Sequence, residues 1–370
     1  MKLLKAVAVV ALLLAGASVA SAQTDTITMA NGTTIKGKVV RAGAQTVTYT
    51  DTAGKSQTIK TSDIGEDGII FGDEPPSFPR AKNAVAEGKP PEKAITLFQE
   101  ALKEIETKKL REINKARIFY HWALHLRDRG DVEGAQAMLS RLRKECGDCH
   151  LRPASFAKSI EIARRKGAEA HKAILLEMKS EPEPLAGEAE MGLADLAFTG
   201  GTYDEALPIY TRLSGNAGAP YVADAKLGVF RCLKALGKTA DLETFAKKVL
   251  DDRTAPASLQ QAAGAWAAAL LFEKASKEKS RVREAILAAA KAIAIGPPER
   301  REDAEDYVAA VRIAAKGYAA LAAEAPKPEQ KQEYQGRAKA YLTEIIRVYK
   351  GTPWAETATQ DLQSLGLQND

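Results

Sequence analysis

The stretch Ala189–Leu213 reads AEMGLADLAFTGGTYDEALPIYTRL, and it decides the fold of the chain. Small and apolar residues recur at helical spacing as far as Phe198, and Gly200-Gly201 then interrupts the pattern. A second amphipathic run follows and continues to Leu213. Two amphipathic segments joined by a short glycine turn predict an antiparallel helical hairpin.

Glycine recurs at a regular interval around this hairpin, at Gly130, Gly167, Gly201 and Gly237, which are 37, 34 and 36 residues apart. Such a period is typical of helical repeats. The turn of the opening hairpin resembles that of the tetratricopeptide (TPR) helix-turn-helix repeat, at the positions Gly201, Tyr203, Glu205 and Ala206. The resemblance covers roughly 280 residues and implies a mainly α chain, a TPR-like α-solenoid of about six or seven hairpins with a C-terminal capping helix.

The N-terminus has the composition of a secretory signal peptide over residues 1–22. Lys2 and Lys5 precede an apolar run, and Ala20-Ser21-Ala22 supplies the small residues of a cleavage site. We therefore expect cleavage after Ala22 and a periplasmic or secreted product. Since no later segment reaches the length of a membrane-spanning helix, no integral membrane segment is expected after cleavage.

Residues 23–73 differ from the rest, because threonine and valine are frequent and apolar residues alternate. Asn31-Gly32 and Ala53-Gly54 stand where hairpin turns need residues that tolerate a positive φ. The segment resembles a small SH3-like or Sm-like β-barrel, which would serve as a cap for the array or dock a peptide or a cell-wall component. Residues 74–76 are predicted to be a linker, 77–366 the TPR-like helical domain and 367–370 a C-terminal tail.

Composition limits the function classes. The net charge is +5, and +3 once Lys2 and Lys5 are removed, while aromatic residues make up only 6% of the chain. A nucleic-acid surface usually needs clustered Lys and Arg with base-stacking aromatics, and no such cluster occurs, so nucleic acid is not an expected partner. Phosphate-binding loops, dinucleotide fingerprints and Gly-x-Ser-x-Gly elbows are also missing from the mature sequence, so we predict no catalytic residues and no enzyme.

Cys146-Gly147-Asp148-Cys149-His150 is the motif that competes with this interpretation. C-x-x-C-H is the attachment signature of c-type haem, which predicts a haem or thiol redox protein that uses Cys146, Cys149 and His150. A local disulfide between the two cysteines, or two free thiols, are the other possibilities. A structural zinc site needs four ligands where this motif offers three, so no metal is expected, and the scaffold interpretation involves no cofactor.

The predicted function is therefore that of a non-enzymatic protein–protein interaction scaffold in the bacterial cell envelope. As the TPR resemblance implies, a protein or peptide partner would lie in the concave groove of the solenoid, which the first helix of each hairpin lines. Six polar residues are candidates for that groove: Arg117, Tyr120, His121, His125, Asp195 and Arg231.

Overall fold

A computed structural model describes residues 24–275, 278 and 281–367 of the chain, without the side chain of residue 302. The predicted signal peptide and most of the predicted tail therefore lie outside the described residues. The described chain divides into two compact units, one that ends at Met178 (unit 1) and one that begins at Lys179 (unit 2). Unit 1 contains both an N-terminal sheet and the first helices, which the sequence assigned to separate domains.

Five antiparallel strands open unit 1, and they lie in the order β4-β3-β2-β1-β5. They are β1 (Asp25–Met29), β2 (Thr34–Ala42), β3 (Thr46–Asp51), β4 (Ser56–Lys60) and β5 (Ile64–Ile70). Alternation sends every second side chain to one face, where Ile27, Val47 and Ile69 are fully buried. The β3–β4 turn contains Gly54 with φ +82°, a conformation that side chains with a Cβ rarely adopt.

The sheet has two edges, since β4 and β5 stand at opposite ends of the strand order. The small antiparallel β domain that the sequence predicts is therefore present as a five-stranded sheet. Its likeness to an SH3-like or Sm-like barrel stays a prediction.

Six helices complete unit 1 and pair in sequence order. They are α1 (Ser77–Ala86), α2 (Pro91–Thr107), α3 (Asn114–Asp128), α4 (Val132–Glu145), α5 (Arg152–Lys166) and α6 (Ala168–Met178). Each odd-numbered helix contacts the helix that follows it, and α2 contacts α3 while α4 contacts α5. Phe98, Phe119 and Leu139 lie in their shared core because each falls on the apolar stripe of its helix.

Unit 2 contains four further pairs and a final helix. The helices are α7 (Leu185–Thr199), α8 (Tyr203–Ser214), α9 (Val222–Ala235), α10 (Thr239–Asp251), α11 (Ala257–Ala275), α12 (Arg281–Ala294), α13 (Glu305–Glu324), α14 (Pro328–Val348) and α15 (Pro353–Ser364). The first helices of successive pairs also touch one another, α7 with α9, α9 with α11 and α11 with α13. This layering of first helices is the arrangement of stacked hairpins.

Glycine permits the close approach of neighbouring helices in unit 2. A Cβ on Gly228 of α9 would lie 2.5 Å from Cδ1 of Tyr210 on α8, and one on Gly187 of α7 would lie 2.2 Å from the ring of Tyr221. Large rings therefore fill the space that glycine leaves open.

The final helix α15 packs on the last pair through charge as well as apolar contact. Asp361 is 7% exposed and accepts from Arg312 Nε at 2.6 Å, with Lys316 Nζ at 3.1 Å. The described residues thus form seven helical pairs and a closing helix after a small antiparallel sheet. The predicted fold class, a mainly α chain of TPR-like hairpins with a small N-terminal β domain, is confirmed.

Candidate functional site

The C-x-x-C-H motif lies in the loop between α4 and α5, and this loop docks on the β2–β3 hairpin. The Asp148 carboxylate accepts from the backbone N–H of Ala44 at 2.7 Å and pairs with Arg41 at 2.7 Å. The backbone N–H of His150 donates to the carbonyl of Ala42 at 2.9 Å. Gly147 has φ +55°, which lets the chain turn between the two cysteines. The motif therefore joins the helices to the sheet.

The reactive groups of this motif are turned into the protein. Cys146 and Cys149 are free thiols, so the disulfide that was one prediction is not formed. Burial raises the pKa of Cys149 to about 11, which disfavours the nucleophilic thiolate. The His150 ring is 5% exposed and packs edge-on against Phe71 at 6.1 Å. A porphyrin on these residues would have to displace the sheet, so the local packing does not favour the haem prediction.

Three predicted groove residues of α3 instead meet carboxylates of β5 and of the segment that follows it. Arg117 is fully buried, and its Nε donates to Asp67 Oδ1 at 2.8 Å while Nη1 pairs with Glu74. His121 Nε2 lies 2.8 Å from Asp67 Oδ2. The Tyr120 hydroxyl hydrogen-bonds to Glu66. This side of α3 is thus an internal contact of unit 1.

The electrostatics agree with a closed ionic contact. Burial opposes the charge on Asp67, but hydrogen bonds from His121 and Arg117 outweigh it and hold the pKa of Asp67 well below its ordinary value. The pKa of Tyr120 is raised because the hydroxyl is buried and faces Glu66. Asp67 is therefore ionised and Tyr120 neutral at neutral pH.

The prediction that Arg117, Tyr120 and His125 line an open groove is wrong. Their exposed fractions are 0%, 1% and 3%, because the sheet and the neighbouring helices cover this part of α3. His121 keeps 20% of its side chain exposed, but it is engaged by Asp67. Helical periodicity could not foresee a cover that comes from strands about 50 residues earlier in the chain.

The two remaining candidates, Asp195 on α7 and Arg231 on α9, are both exposed. Asp195 accepts a hydrogen bond of 2.5 Å from the hydroxyl of Tyr210. Burial and Asp195 raise the pKa of Tyr210, and the positive charge of Arg231 opposes this rise. The structure therefore brings both predicted residues close enough to one tyrosine to affect its hydroxyl.

Arg231 also acts on Asp306, near the start of α13. Asp306 is half-buried, and its pKa is raised because burial outweighs the attraction of Lys234 and Arg231. Lys234 pairs with Glu305 at 3.5 Å. Within the described residues, neither Arg231 nor Asp306 has a hydrogen bond or ion pair. We call Asp195, Arg231, Lys234 and Asp306 the α9 site.

The α9 site combines the exposed guanidinium of Arg231, which has no ion-pair partner among the described residues, with the partly desolvated carboxylate of Asp306. An arginine can bind a carboxylate through two parallel hydrogen bonds, and a half-buried carboxylate gains from a new donor. The sequence missed Lys234 and Asp306, because an acid at the start of a helix indicates only a favourable interaction with the helix dipole. Only the tertiary structure, in which Lys234 of α9 pairs with Glu305 of α13, brings these charges near one another.

Two searches of the described residues bear on other functions. No group of three or more His, Cys, Asp or Glu side chains in this part of the chain is arranged to hold a metal ion. None of the described helices is both long and apolar enough to cross a membrane.

These features define a class of protein: antiparallel TPR-like hairpins joined to a small antiparallel sheet. No protein-family model and no curated protein matches the chain. Among solved structures, a tetratricopeptide repeat protein from Parabacteroides merdae is similar, with 14% identity, a TM-score of 0.38, and coverage of 78% of this chain and 97% of that one.

Two other similar structures contain a bound molecule. The human IFIT1 dimer with m7Gppp-AAAA has 17% identity and a TM-score of 0.32, and the match covers 79% of this chain and 68% of that one. The TPR2AB domain of yeast Sti1 in complex with pHSP90 has 16% identity and a TM-score of 0.22, and covers 78% and 84%. No partner or activity is carried over from these proteins.

Proposed function

We propose that this chain is a non-enzymatic scaffold that binds a protein or peptide partner, and that the α9 site is part of the binding surface. The observation that carries the proposal is that exposed Arg231 and half-buried Asp306, on the layer of first helices in unit 2, have no hydrogen bond or ion pair to another described residue. Stacked hairpins commonly use such a layer to bind extended partners. A half-buried carboxylate such as that of Asp306 is seldom left without a partner.

The mixed charge of the site favours a polypeptide. A peptide presents carboxylates, which Arg231 can bind. It also presents N–H groups, which can donate hydrogen bonds to the carboxylate of Asp306. A phosphate backbone would meet Asp195, Glu305 and Asp306 beside the two cations, and like charges repel it. Protein is for this reason the proposed partner in preference to nucleic acid.

Export to the bacterial cell envelope is part of the same proposal and depends on residues 1–22. Their charge, apolar run and small-residue end support cleavage after Ala22. Mass spectrometry of the protein recovered from a fractionated bacterial host tests this part directly. A mature N-terminus at Gln23 in the periplasm or medium is expected, and an intact Met1 in the cytoplasm would contradict it.

Site-specific photo-crosslinking tests the partner-binding surface. A photoreactive amino acid replaces the exposed Ala235, one residue beyond Lys234, in the full chain produced in its exported compartment. Mass spectrometry then identifies the adducts. We expect a discrete protein adduct that is lost when Arg231→Glu is added, because the reversed charge repels the carboxylate of the partner.

Two controls make the result specific. Arg253→Glu makes the same charge change at another exposed arginine and should leave the adduct intact. A photoreactive residue at Leu287, which is 60% exposed on α12, reports random collisions. Equal yields at positions 235 and 287, or an adduct that persists in Arg231→Glu, would refute the proposed site.

A further inference from the structure

The second feature of interest is the face of the N-terminal sheet that points away from the helices, which we call the outer sheet face. Strand alternation places Lys36 and Lys38 of β2 on it, and the strand register aligns Lys38 with Thr50 of β3. Thr46 of β3 faces Lys60 of β4 in the same way. Burial follows this alternation, since Lys36, Lys38 and Lys60 are exposed while their inward neighbours are not.

Hydroxyl groups cover most of this face. They come from four adjacent strands and include Thr26, Thr28, Thr34, Thr46, Thr48, Thr50 and Thr58. Neighbouring strands lie about 4.8 Å apart and alternate residues along a strand about 6.7 Å apart, so the hydroxyls form a closely spaced array. Two of them, Thr48 and Thr58, are in contact at 3.3 Å across the β3–β4 pair.

The outer sheet face carries positive charge that no acidic residue on the same face neutralises. None of the outward residues of β1–β4 is acidic. Lys36, Lys38 and Lys60 have no ion-pair partner among the residues that the structure describes, whereas the charge of Arg41 at the end of β2 is met by Asp148. A polymer with regularly spaced negative charges is the complement of three such lysines.

We propose that the outer sheet face binds an acidic polysaccharide. Each threonine hydroxyl both donates and accepts a hydrogen bond, which matches the hydroxyls of a sugar, while the lysines pair with its carboxylates. Base stacking would need outward aromatic rings, and these strands carry none on this face. A membrane would need a contiguous apolar patch, but Val40 and Ile70 stand singly on strands that are not neighbours.

Titration of the full chain with polygalacturonate, followed by calorimetry, tests this proposal, with neutral dextran as the uncharged comparison. Saturable binding to polygalacturonate alone is expected. Three lysine contacts predict that the affinity falls on the order of tens-fold between 50 and 200 mM salt. Lys36→Gln/Lys38→Gln should weaken binding by about 30-fold, since each lysine near an anionic surface contributes roughly a factor of five.

A hydroxyl-deletion variant separates sugar recognition from simple charge attraction. Thr48→Val/Thr50→Val keeps the charge, the side-chain shape and the β-branched preference for a strand. It should weaken polygalacturonate binding about threefold to tenfold and leave binding to duplex DNA unchanged. Lys93→Gln/Lys103→Gln removes two exposed lysines from α2 and should have no effect on either polymer.

Four outcomes would overturn the proposal. They are the absence of saturable binding, equal affinity for dextran, equal affinity for duplex DNA with no effect of the valine variant, and binding to anionic phospholipid vesicles but not to polygalacturonate. Circular dichroism of each variant distinguishes a lost contact from a lost fold. The α9 site lies outside these variants, so failure here leaves the proposed peptide scaffold to its own test.

Discussion

Replacement of Arg117 by methionine tests the ionic contact between α3 and the sheet. The side chain of Arg117 is fully buried between Asp67 and Glu74, and its guanidinium lies 5.3 Å from the centre of the Phe78 ring. Methionine has similar length and keeps the apolar contacts, so the substitution chiefly removes the charge. Asp67 and Glu74 then lose their common cation.

The expected cost follows from the burial of the partners. Removal of one member of a buried ion pair costs about 3–5 kcal/mol, because the other charge remains without compensation. Asp67 is 32% exposed at its side chain and keeps His121 at 2.8 Å, so water and histidine meet part of its charge. We therefore expect the lower end of the range, about 3 kcal/mol of the free energy of unfolding of unit 1.

Native-state hydrogen exchange, measured by mass spectrometry, reports the loss of stability separately for each segment of the chain. Peptides from β5 and α3 should lose about 3 kcal/mol of protection, equivalent to an exchange rate about 150-fold faster, while peptides of unit 2 are unchanged. The variant Arg117→Met/Asp67→Asn/Glu74→Gln, which also neutralises the partners, should recover much of the loss. A loss below about 1 kcal/mol in the single variant would refute the reasoning.

Three further predictions concern packing, pH and the docking loop. Gly228→Ala should lower the free energy of unfolding by about 1–3 kcal/mol, because the new Cβ meets the Tyr210 ring. Gly336→Ala on α14 has open space around the new Cβ and should raise the free energy of unfolding by about 1 kcal/mol. Thermal melts of both variants measure these changes. Burial lowers the pKa of His150 from 6.5 to about 4, so its neutral ring stabilises the fold fully above pH 6.5 and this contribution, about 3 kcal/mol, is lost as the pH falls to 4. Urea titrations of His150→Leu should show a flatter dependence on pH over that range, and an unchanged slope would contradict the assignment. Asp148→Ala should speed amide exchange in the β2–β3 turn by roughly tenfold, because the N–H group of Ala44 loses the carboxylate that accepts its hydrogen bond.

The helical hairpins were predictable because their signals are local. The apolar stripe that ends at Phe198 and the positive φ of Gly201, at +80°, both follow from residues within one turn of the helix. The strands were predictable for the same reason, since alternation in β2 and β3 is read over a few residues. Local patterns of this kind fix the element type and the face that is apolar.

The candidate sites were predictable only in part, because they depend on contacts between distant residues. Asp195 and Arg231 were identified as candidate groove residues, but Asp306 lies about 75 residues beyond Arg231 in the chain. Arg117 and His125 carried the same kind of polar signal as Arg231, and the tertiary structure buries them. A polar side chain on a helix gives no information about which neighbour will cover it.

The sequence by itself determined that this chain forms paired amphipathic helices after a small set of strands, because both periodicities are short-range properties of the backbone. Only the tertiary structure decided that the Cys146–His150 loop and one side of α3 dock on the sheet. It likewise decided that α9 and α13 of unit 2 bring the charge of Arg231 near Asp306. Burial and ion pairing are set by groups that lie far apart in the chain, and their free energies appear only once the units have folded.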